Sequence, residues 1–144
     1  MDLRQVTDTY FVSPQIGPED MDAVAAAGIT MILSNRPDAE IPPSHHASTI
    51  EAAAKEAGIA FVHLPLTHQT MTPDNIAKQA EIIDGAGGPV LAYCASGTRS
   101  TVAWALGQAG NMPVDDILTA ARVAGYDLSN LRPTLEAAAV AKGS

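Results

Sequence analysis

Residues 89–100 read PVLAYCASGTRS, and this stretch decides the fold and locates a candidate site. An apolar run at residues 90–93 ends on Cys94, the only cysteine in the chain. Small and polar residues follow up to Arg99 and Ser100, and an alanine-rich segment then begins. The apolar run predicts a buried strand and the later segment predicts a helix, so Cys94 is expected at a strand-to-helix turn.

The same alternation of strand and helix extends along the rest of the chain. Strands are predicted at residues 9–12, 29–33, 59–66 and 90–93. Helices are predicted from Pro18 to a stop at Gly28, from a Thr72 cap to Asp84, and at residues 44–57, 99–108, 114–124 and 133–141. This order predicts an α/β fold of three layers, in which helices cover both faces of a mainly parallel central sheet of about four or five strands. Ligands of such sheets bind beyond the carboxyl ends of the strands, where Cys94 lies.

Length and composition restrict the classes of function. The chain of 144 residues fits a single domain, residues 1–144, and 47% hydrophobic with 17% charged residues is typical of a globular protein. A net charge of −8 without a basic stripe argues against nucleic acid as a partner. No secretory leader and no apolar run of about 18 residues is visible, so no membrane partner is predicted. One cysteine cannot form an internal disulfide, which favours a cytoplasmic location.

The turn after Cys94 has the composition of an anion-binding loop. Backbone N–H groups of a strand-to-helix turn point inward, and a helix N-terminus adds its own unpaired N–H groups. The predicted anion-binding residues of this loop are Ala95, Ser96, Gly97, Thr98, Arg99 and Ser100. Such a nest favours the thiolate form of Cys94, so we interpret Cys94 as a nucleophile, the alternative being a buried structural thiol. Arg99 is interpreted as an anion ligand, or else as a salt-bridge partner, and Ser100 as a hydrogen-bond donor to the sulfur.

Residues 93–100, YCASGTRS, resemble the phosphate-binding loop of cysteine-dependent tyrosine and dual-specificity phosphatases. A bacterial family is more similar still: the phosphatase-like domain of beta-lactamase hydrolase-like proteins, whose members are also described as sulfur transferases. The resemblance rests on four segments in order: residues 13–15 (SPQ), 35–40 (NRPDAE), the Cys94 loop and 124–127 (AGYD). It implies a cysteine-phosphatase-like fold over nearly the whole chain.

Two departures from the phosphatase pattern bear on the reaction. Four residues separate Cys94 from Arg99 where phosphatases have five, and the resulting six-residue loop has the length found in rhodanese-type sulfurtransferases. A smaller ring leaves less space for a tetrahedral phosphate. His68 stands where phosphatases of this kind carry an aspartate as general acid. Histidine can serve as an acid near pH 7, so His68 joins Cys94 and Arg99 as a candidate catalytic residue.

The remaining candidates follow other strands and helices. Asn35 and Arg36 come after a strand end and are expected to bind the anion from the same edge of the sheet. His63 lies within a predicted strand and is interpreted as a core residue, whereas His45 and His46 are expected on a helix surface. No acid or histidine spacing resembles a metal site, and no cofactor is predicted.

Three hypotheses remain open from the sequence. In the first, a sulfurtransferase takes sulfane sulfur from thiosulfate or a persulfide onto Cys94 and passes it to an external thiol acceptor. In the second, a phosphatase hydrolyses a phosphate ester through a cysteinyl-phosphate, with His68 or Asp38 as the acid. In the third, the loop belongs to an anion-binding module that catalyses nothing. The oligomeric state and the physiological donor do not follow from the sequence.

Overall fold

A computed structural model describes residues 1–143, so Ser144, the last residue of the predicted domain, lies outside the described range. The strands are β1 (Arg4–Gln5), β2 (Tyr10–Ser13), β3 (Met31–Ser34), β4 (Ala60–His63) and β5 (Val90–Tyr93). The helices are α1 (Met21–Ala26), α2 (Ala47–Glu56), α3 (Pro73–Asp84), α4 (Thr98–Gln108), α5 (Val114–Val123) and α6 (Arg132–Gly143). Short 3-10 turns occur at Pro18–Asp20, Asp38–Glu40, Pro43–His45 and Ser129–Leu131.

The strands form one five-stranded sheet in the order β1-β2-β5-β3-β4. All neighbours are parallel except β1, which pairs antiparallel with β2. The predicted mainly parallel sheet is therefore confirmed, and β5 occupies its centre. Every residue of β5 is buried, as the continuous apolar sequence of a strand covered on both faces predicts.

Side chains that alternate along the strands supply two separate cores. On one face, Tyr10, Leu33 and Ala92 pack with residues of α4, α5 and α6. On the other face, Ile32 and Leu91 pack with residues of α1 and α2. The sheet therefore has helices on both faces, as the three-layer prediction requires. None of the helices within residues 1–143 combines the length and the hydropathy that a membrane-spanning helix requires.

The edge strands differ from their predictions. The sequence gives no signal for β1, because a two-residue strand is too short to show alternation. Strand β4 is shorter than residues 59–66, although the N–H groups of Leu64 and Leu66 still donate to the carbonyl oxygens of Ser34 and Asn35, each at 2.9 Å. His63 is exposed on this edge strand, and its Nε2 lies 3.1 Å from the carbonyl oxygen of Arg36, so its interpretation as a core residue is wrong.

We predict that the central strands carry much of the stability. Ile32 is fully buried, so Ile32→Ala should lower the free energy of unfolding by about 2–5 kcal/mol through lost burial and the cavity left behind. Urea denaturation checks this. The control is Val123→Ala, a side chain 78% exposed, which should change the value by no more than about 0.5 kcal/mol. Equal effects of the two substitutions would contradict the assigned core.

Candidate active site

Cys94 follows the last residue of β5 and is buried at the carboxyl end of the sheet. Its Sγ accepts a hydrogen bond from the N–H of Gly97, at a distance of 3.1 Å. The sulfur is thus buried against a backbone donor and is not enclosed by hydrocarbon alone. This position agrees with the expected strand-to-helix turn.

Three successive carbonyl groups of the loop accept hydrogen bonds from outside it. The oxygen of Ala95 accepts from the N–H of Gln15 at 3.3 Å, and the oxygen of Ser96 accepts from the hydroxyl of Tyr126 at 2.9 Å. The oxygen of Gly97 accepts from the N–H and the hydroxyl of Thr101, at 3.0 and 2.8 Å. Because these carbonyls are held outward, the N–H of the Ser96–Gly97 peptide can face inward, where it donates to the sulfur of Cys94.

Gly97 is required at its position for two reasons. Its φ of +95° lies in the left-handed region that residues with a Cβ rarely adopt. A Cβ at this residue would also collide with the hydroxyl of Tyr126. Gly97 is the residue directly before α4, so its backbone turn aims the N-terminus of that helix at the loop.

The two exposed polar residues of the loop bond to each other. The hydroxyl oxygens of Ser96 and Thr98 lie 2.9 Å apart, and the N–H of Thr98 donates to the Ser96 hydroxyl at 3.4 Å. These contacts form a small surface turn and leave both hydroxyls at the outer edge of the loop.

Arg99 makes a two-pronged ion pair with Glu40. Its two terminal nitrogens donate to Oε2 and Oε1 of Glu40 at 2.9 and 2.7 Å, and one of them also donates to the carbonyl oxygen of Leu66 at 2.8 Å. The pKa of Arg99 is raised, mainly by the hydrogen bond to Glu40 and further by interaction with Cys94. The guanidinium is therefore bound by a carboxylate and also interacts electrostatically with Cys94. Of the two alternatives from the sequence, the structure shows the salt-bridge partner, and the role of Arg99 as an anion ligand stays a prediction.

Glu40 is a site residue that the sequence interpretation missed. It lies in the 3-10 turn Asp38–Glu40 and accepts hydrogen bonds from Arg36 (Nε to Oε1, 3.2 Å) as well as Arg99. The hydrogen bond from Arg99 is the main cause that lowers the pKa of Glu40, and Arg36 adds to it. Arg36 also donates to Oε1 of Gln15 at 3.3 Å, so it lies at this edge of the sheet as predicted.

Within residues 1–143, Asn35 contacts the loop only through Ser100, and its side-chain polar groups all bond within the protein. It is fully buried, and its side-chain amide donates to the carbonyl oxygen of Leu64 and to Oε1 of Gln79 at 2.9 and 2.8 Å. Both amide hydrogens are therefore in use. Its Oδ1 accepts from Gln79 at 3.1 Å and from the hydroxyl of Ser100 at 2.9 Å. Asn35 therefore supports the first turn of α4, and its amide hydrogens are not available for the anion that the sequence assigned to it.

The Ser100 hydroxyl also differs from its prediction. Its single hydrogen is donated to Asn35, so it is not donated to the sulfur of Cys94. Tyr10 donates to the backbone oxygen of Ser100 at 2.7 Å and accepts from Gln79 at 3.3 Å. Together, Tyr10, Asn35, Gln79 and Ser100 form a buried polar network behind the loop. Gln79 was missed because a lone glutamine on a predicted helix has no distinguishing pattern.

The two candidate acids lie in different surroundings. His68 is exposed in the segment between β4 and α3, two residues after Leu66, whose carbonyl oxygen Arg99 binds. Within residues 1–143 no hydrogen bond or ion pair holds its ring. Asp38 accepts a hydrogen bond at Oδ1 from the N–H of Ala47 at 2.8 Å, which places its carboxylate at the N-terminus of α2.

The sequence and the fold both match known proteins. The sequence model of the phosphatase-like domain of beta-lactamase hydrolase-like proteins matches residues 2–111. A beta-lactamase hydrolase-like protein of Xylella fastidiosa (strain 9a5c) is 28% identical over 142 residues, which are 97% of this chain and 33% of that protein. This chain spans about a third of the length of the curated relatives it matches.

Solved structures agree with the predicted architecture. The crystal structure of a candidate phosphatase from Neisseria meningitidis Z2491 has a TM-score of 0.86 and 34% sequence identity, and the match covers 96% of this chain and 99% of that one. The structure of PTPMT1 has a TM-score of 0.72 at 15% identity and covers 98% of each chain, a likeness that shows the fold alone. The expected phosphatase-like fold is confirmed.

We predict that Glu40 stabilises the folded chain only while it is ionised. Its pKa is lowered on folding, so its contribution is complete above the unfolded value of about 4.3 and is lost as the pH falls through the folded value. Glu40→Gln should lower the free energy of unfolding by about 1 kcal/mol at pH 7, because the pair is partly exposed. The deficit should shrink below about pH 4.3. Urea titrations at pH 7 and pH 3 measure it.

Asp115→Asn is the control for this substitution. Asp115 pairs with Arg132 at 2.7 Å on the surface, where its side chain is 80% exposed, so its loss should matter little at either pH. A Glu40→Gln deficit that stays constant from pH 7 to pH 3 would contradict the assigned ion pair.

Proposed function

The chain belongs to the family of the phosphatase-like domain of beta-lactamase hydrolase-like proteins, and we propose that it is a cysteine-dependent sulfurtransferase. The observation that carries the proposal is the loop around Cys94, where a backbone N–H donates to the sulfur and Arg99 interacts with it. The carboxyl group beside Arg99 is Glu40, whose lowered pKa makes it a poor proton donor. This set of groups suits a reaction that needs an anionic nucleophile and a bound anion but no proton donor.

The first half-reaction loads sulfur onto Cys94. The thiolate attacks the outer sulfur of thiosulfate, the new sulfur–sulfur bond forms, and sulfite leaves with the electron pair of the bond that breaks. No proton moves in this step. The N–H groups of the loop and Arg99 stabilise the negative charge on the donor and on the persulfide that results.

The second half-reaction returns Cys94 to its starting state. An acceptor thiol attacks the outer sulfur of the persulfide, Cys94 leaves as thiolate, and the proton of the acceptor goes to the transferred sulfur. Since the chain has no second cysteine, this acceptor must be external, such as a small thiol or a partner protein. A persistent free thiol requires a reducing compartment, which supports a cytoplasmic location as part of the proposal.

The environment of the carboxylates favours sulfur transfer over phosphate hydrolysis. Hydrolysis of a phosphate ester requires a proton for the leaving oxygen. Glu40 is a poor donor because Arg99 lowers its pKa, and the Asp38 carboxylate accepts the first N–H of α2. Sulfite leaves as an anion and needs no such donor. The loop length supports the same conclusion, since four residues between Cys94 and Arg99 leave less room for a phosphate.

A phosphatase is the second candidate, and a specific observation favours it. The candidate phosphatase from Neisseria meningitidis matches this chain nearly end to end at 34% identity. In this reaction Cys94 attacks phosphorus, the alcohol oxygen leaves with a proton from His68, and water then releases phosphate from the cysteinyl-phosphate. His68 is exposed and carries no competing hydrogen bond in the described part of the chain, so its ring is available for this role.

We predict that thiosulfate-to-cyanide sulfur transfer requires Cys94 and Arg99. Cys94→Ser should reduce the rate by about a thousandfold or more, because the nucleophile is lost. Arg99→Lys should reduce it by about a hundredfold, because lysine cannot keep the planar contacts to Glu40 and the anion. Thiocyanate formation measures the transfer, and hydrolysis of an aryl phosphate is measured on the same preparations.

Arg132→Lys is the matched control, since it conserves a surface charge at an exposed ion pair and should leave both rates unchanged. Phosphate release lost in Cys94→Ser, with no sulfur transfer by the wild type, would replace the first candidate by the second. Absence of both activities together with binding of sulfate to the loop would leave the non-catalytic module as the function.

A further inference from the structure

One peptide group of the loop is held at both ends by hydrogen bonds. The carbonyl oxygen of Ser96 accepts from the hydroxyl of Tyr126 at 2.9 Å, and the N–H of Gly97 in the same peptide donates to Cys94 Sγ at 3.1 Å. The C=O and N–H of a planar trans peptide point in opposite directions. The direction of the Ser96 oxygen therefore sets the direction of the N–H that faces the sulfur.

Tyr126 comes from outside the loop and is itself held in place. It is buried, and its N–H donates to the carbonyl oxygen of Ala121 at 2.9 Å, which ties it to the end of α5. The guanidinium of Arg4, in β1, lies over its ring at 5.3 Å from the centroid and donates to the carbonyl oxygen of Ala124 at 3.3 Å. A cation over an aromatic ring at this distance is attractive. The Tyr126 side chain is thus held by β1, through Arg4, and by the end of α5, and these two elements are far apart in sequence.

We propose that Tyr126 is a positioning residue for Cys94, which aims the Gly97 N–H at the sulfur through the Ser96 carbonyl, and that Arg4 holds the Tyr126 ring for this purpose. The proposal deepens the proposed function, because it concerns how readily the nucleophile ionises. Tyr126 contacts no substrate in this scheme and acts through the peptide group alone.

Removal of the Tyr126 hydroxyl should loosen this peptide without changing any charge near Cys94. Burial raises the pKa of Tyr126 above its ordinary value of about 10, so the hydroxyl stays neutral while a cysteine titrates. Tyr10 from β2 and Arg99 from α4 also interact electrostatically with Cys94, and Glu40 faces Arg99. All three remain in the Tyr126→Phe variant. A change in the reactivity of the thiol would then report the orientation of the peptide.

The test is the pH dependence of iodoacetamide labelling at Cys94 in the whole chain. Tyr126→Phe should move the labelling midpoint upward by about 0.5–1 pH unit, which is the effect of weakening one hydrogen bond to a thiolate. Arg4→Met, which keeps an unbranched side chain over the ring but removes the cation, should move the midpoint in the same direction by a smaller amount. If Tyr126→Phe folds poorly, the labelling midpoint of Arg4→Met still tests the positioning role.

Tyr93→Phe is the matched control. It also removes one buried tyrosine hydroxyl and lies next to Cys94, but its ring belongs to the core with α1 and α2, on the face of the sheet opposite α4. Its labelling midpoint should equal that of the wild type. A Tyr126→Phe midpoint equal to the wild type would overturn the positioning role, as would an equal upward shift in Tyr93→Phe.

Failure of the proposed function gives a different result in the same experiment. If the wild type is labelled with the midpoint of a free cysteine, the thiolate mechanism itself is wrong. If the wild type has a low midpoint and Tyr126→Phe keeps it, the thiolate mechanism stands and only the role of Tyr126 is rejected.

Discussion

The site depends on the outward direction of three successive carbonyl groups, those of Ala95, Ser96 and Gly97. A short loop can gather N–H groups around an anion only if its carbonyl oxygens find partners elsewhere, because peptide dipoles that face inward would repel the charge. The donors that satisfy them are Gln15, Tyr126 and Thr101, which come from three separate parts of the chain. The loop is therefore shaped by the tertiary structure and not by its own sequence alone.

The charges around the sulfur follow from the same packing. Glu40 binds both Arg36 and Arg99, so the two cations share one carboxylate and the cluster keeps a net positive charge. Two contacts from Glu40 and one from the Leu66 carbonyl fix the plane of the Arg99 guanidinium. A fixed guanidinium loses little conformational freedom when an anion binds, which is the advantage of a preorganised site. The cost is that the one carboxylate of the cluster is unavailable as an acid.

Much of the fold could be predicted because the central strands are buried on both faces and carry continuous apolar sequence. The bounds of β5 were predicted correctly, and α3 begins at the predicted Thr72 cap, whose hydroxyl accepts from Asn75. The edges were harder, since β1 has two residues and His63 lies on the exposed edge strand. Periodicity identifies a strand but not its place in the sheet, and only that place decides whether a side chain is buried.

The site shows the same division between local and tertiary signals. Cys94, Gly97 and Arg99 could be identified because one short segment contains them all. Asn35 was assigned to the anion because it follows a strand end, yet its amide turns into the core toward Gln79.

Glu40, Gln79 and Tyr126 had no assigned role before the structure was known. Glu40 and Tyr126 do lie within segments that carried the family resemblance. Their roles depend on partners at least thirty residues away, which no local pattern reveals.

The geometry also explains how a phosphatase-like fold can suit a different reaction. Cys94 follows a central strand and Arg99 lies in the first turn of the next helix, so the fold supplies a nucleophile and an anion ligand whatever bond is broken.

What distinguishes hydrolysis of an ester from transfer of sulfur is the proton that the leaving group requires. That proton must come from a residue outside the strand–loop–helix unit. Here the segment between β4 and α3 carries His68, exposed and unpartnered among the described residues, while Arg99 lowers the pKa of the nearby Glu40 and Asp38 accepts the N–H of Ala47. The choice between the two candidate reactions therefore rests on the segment around His68 as well as on the length of the Cys94 loop.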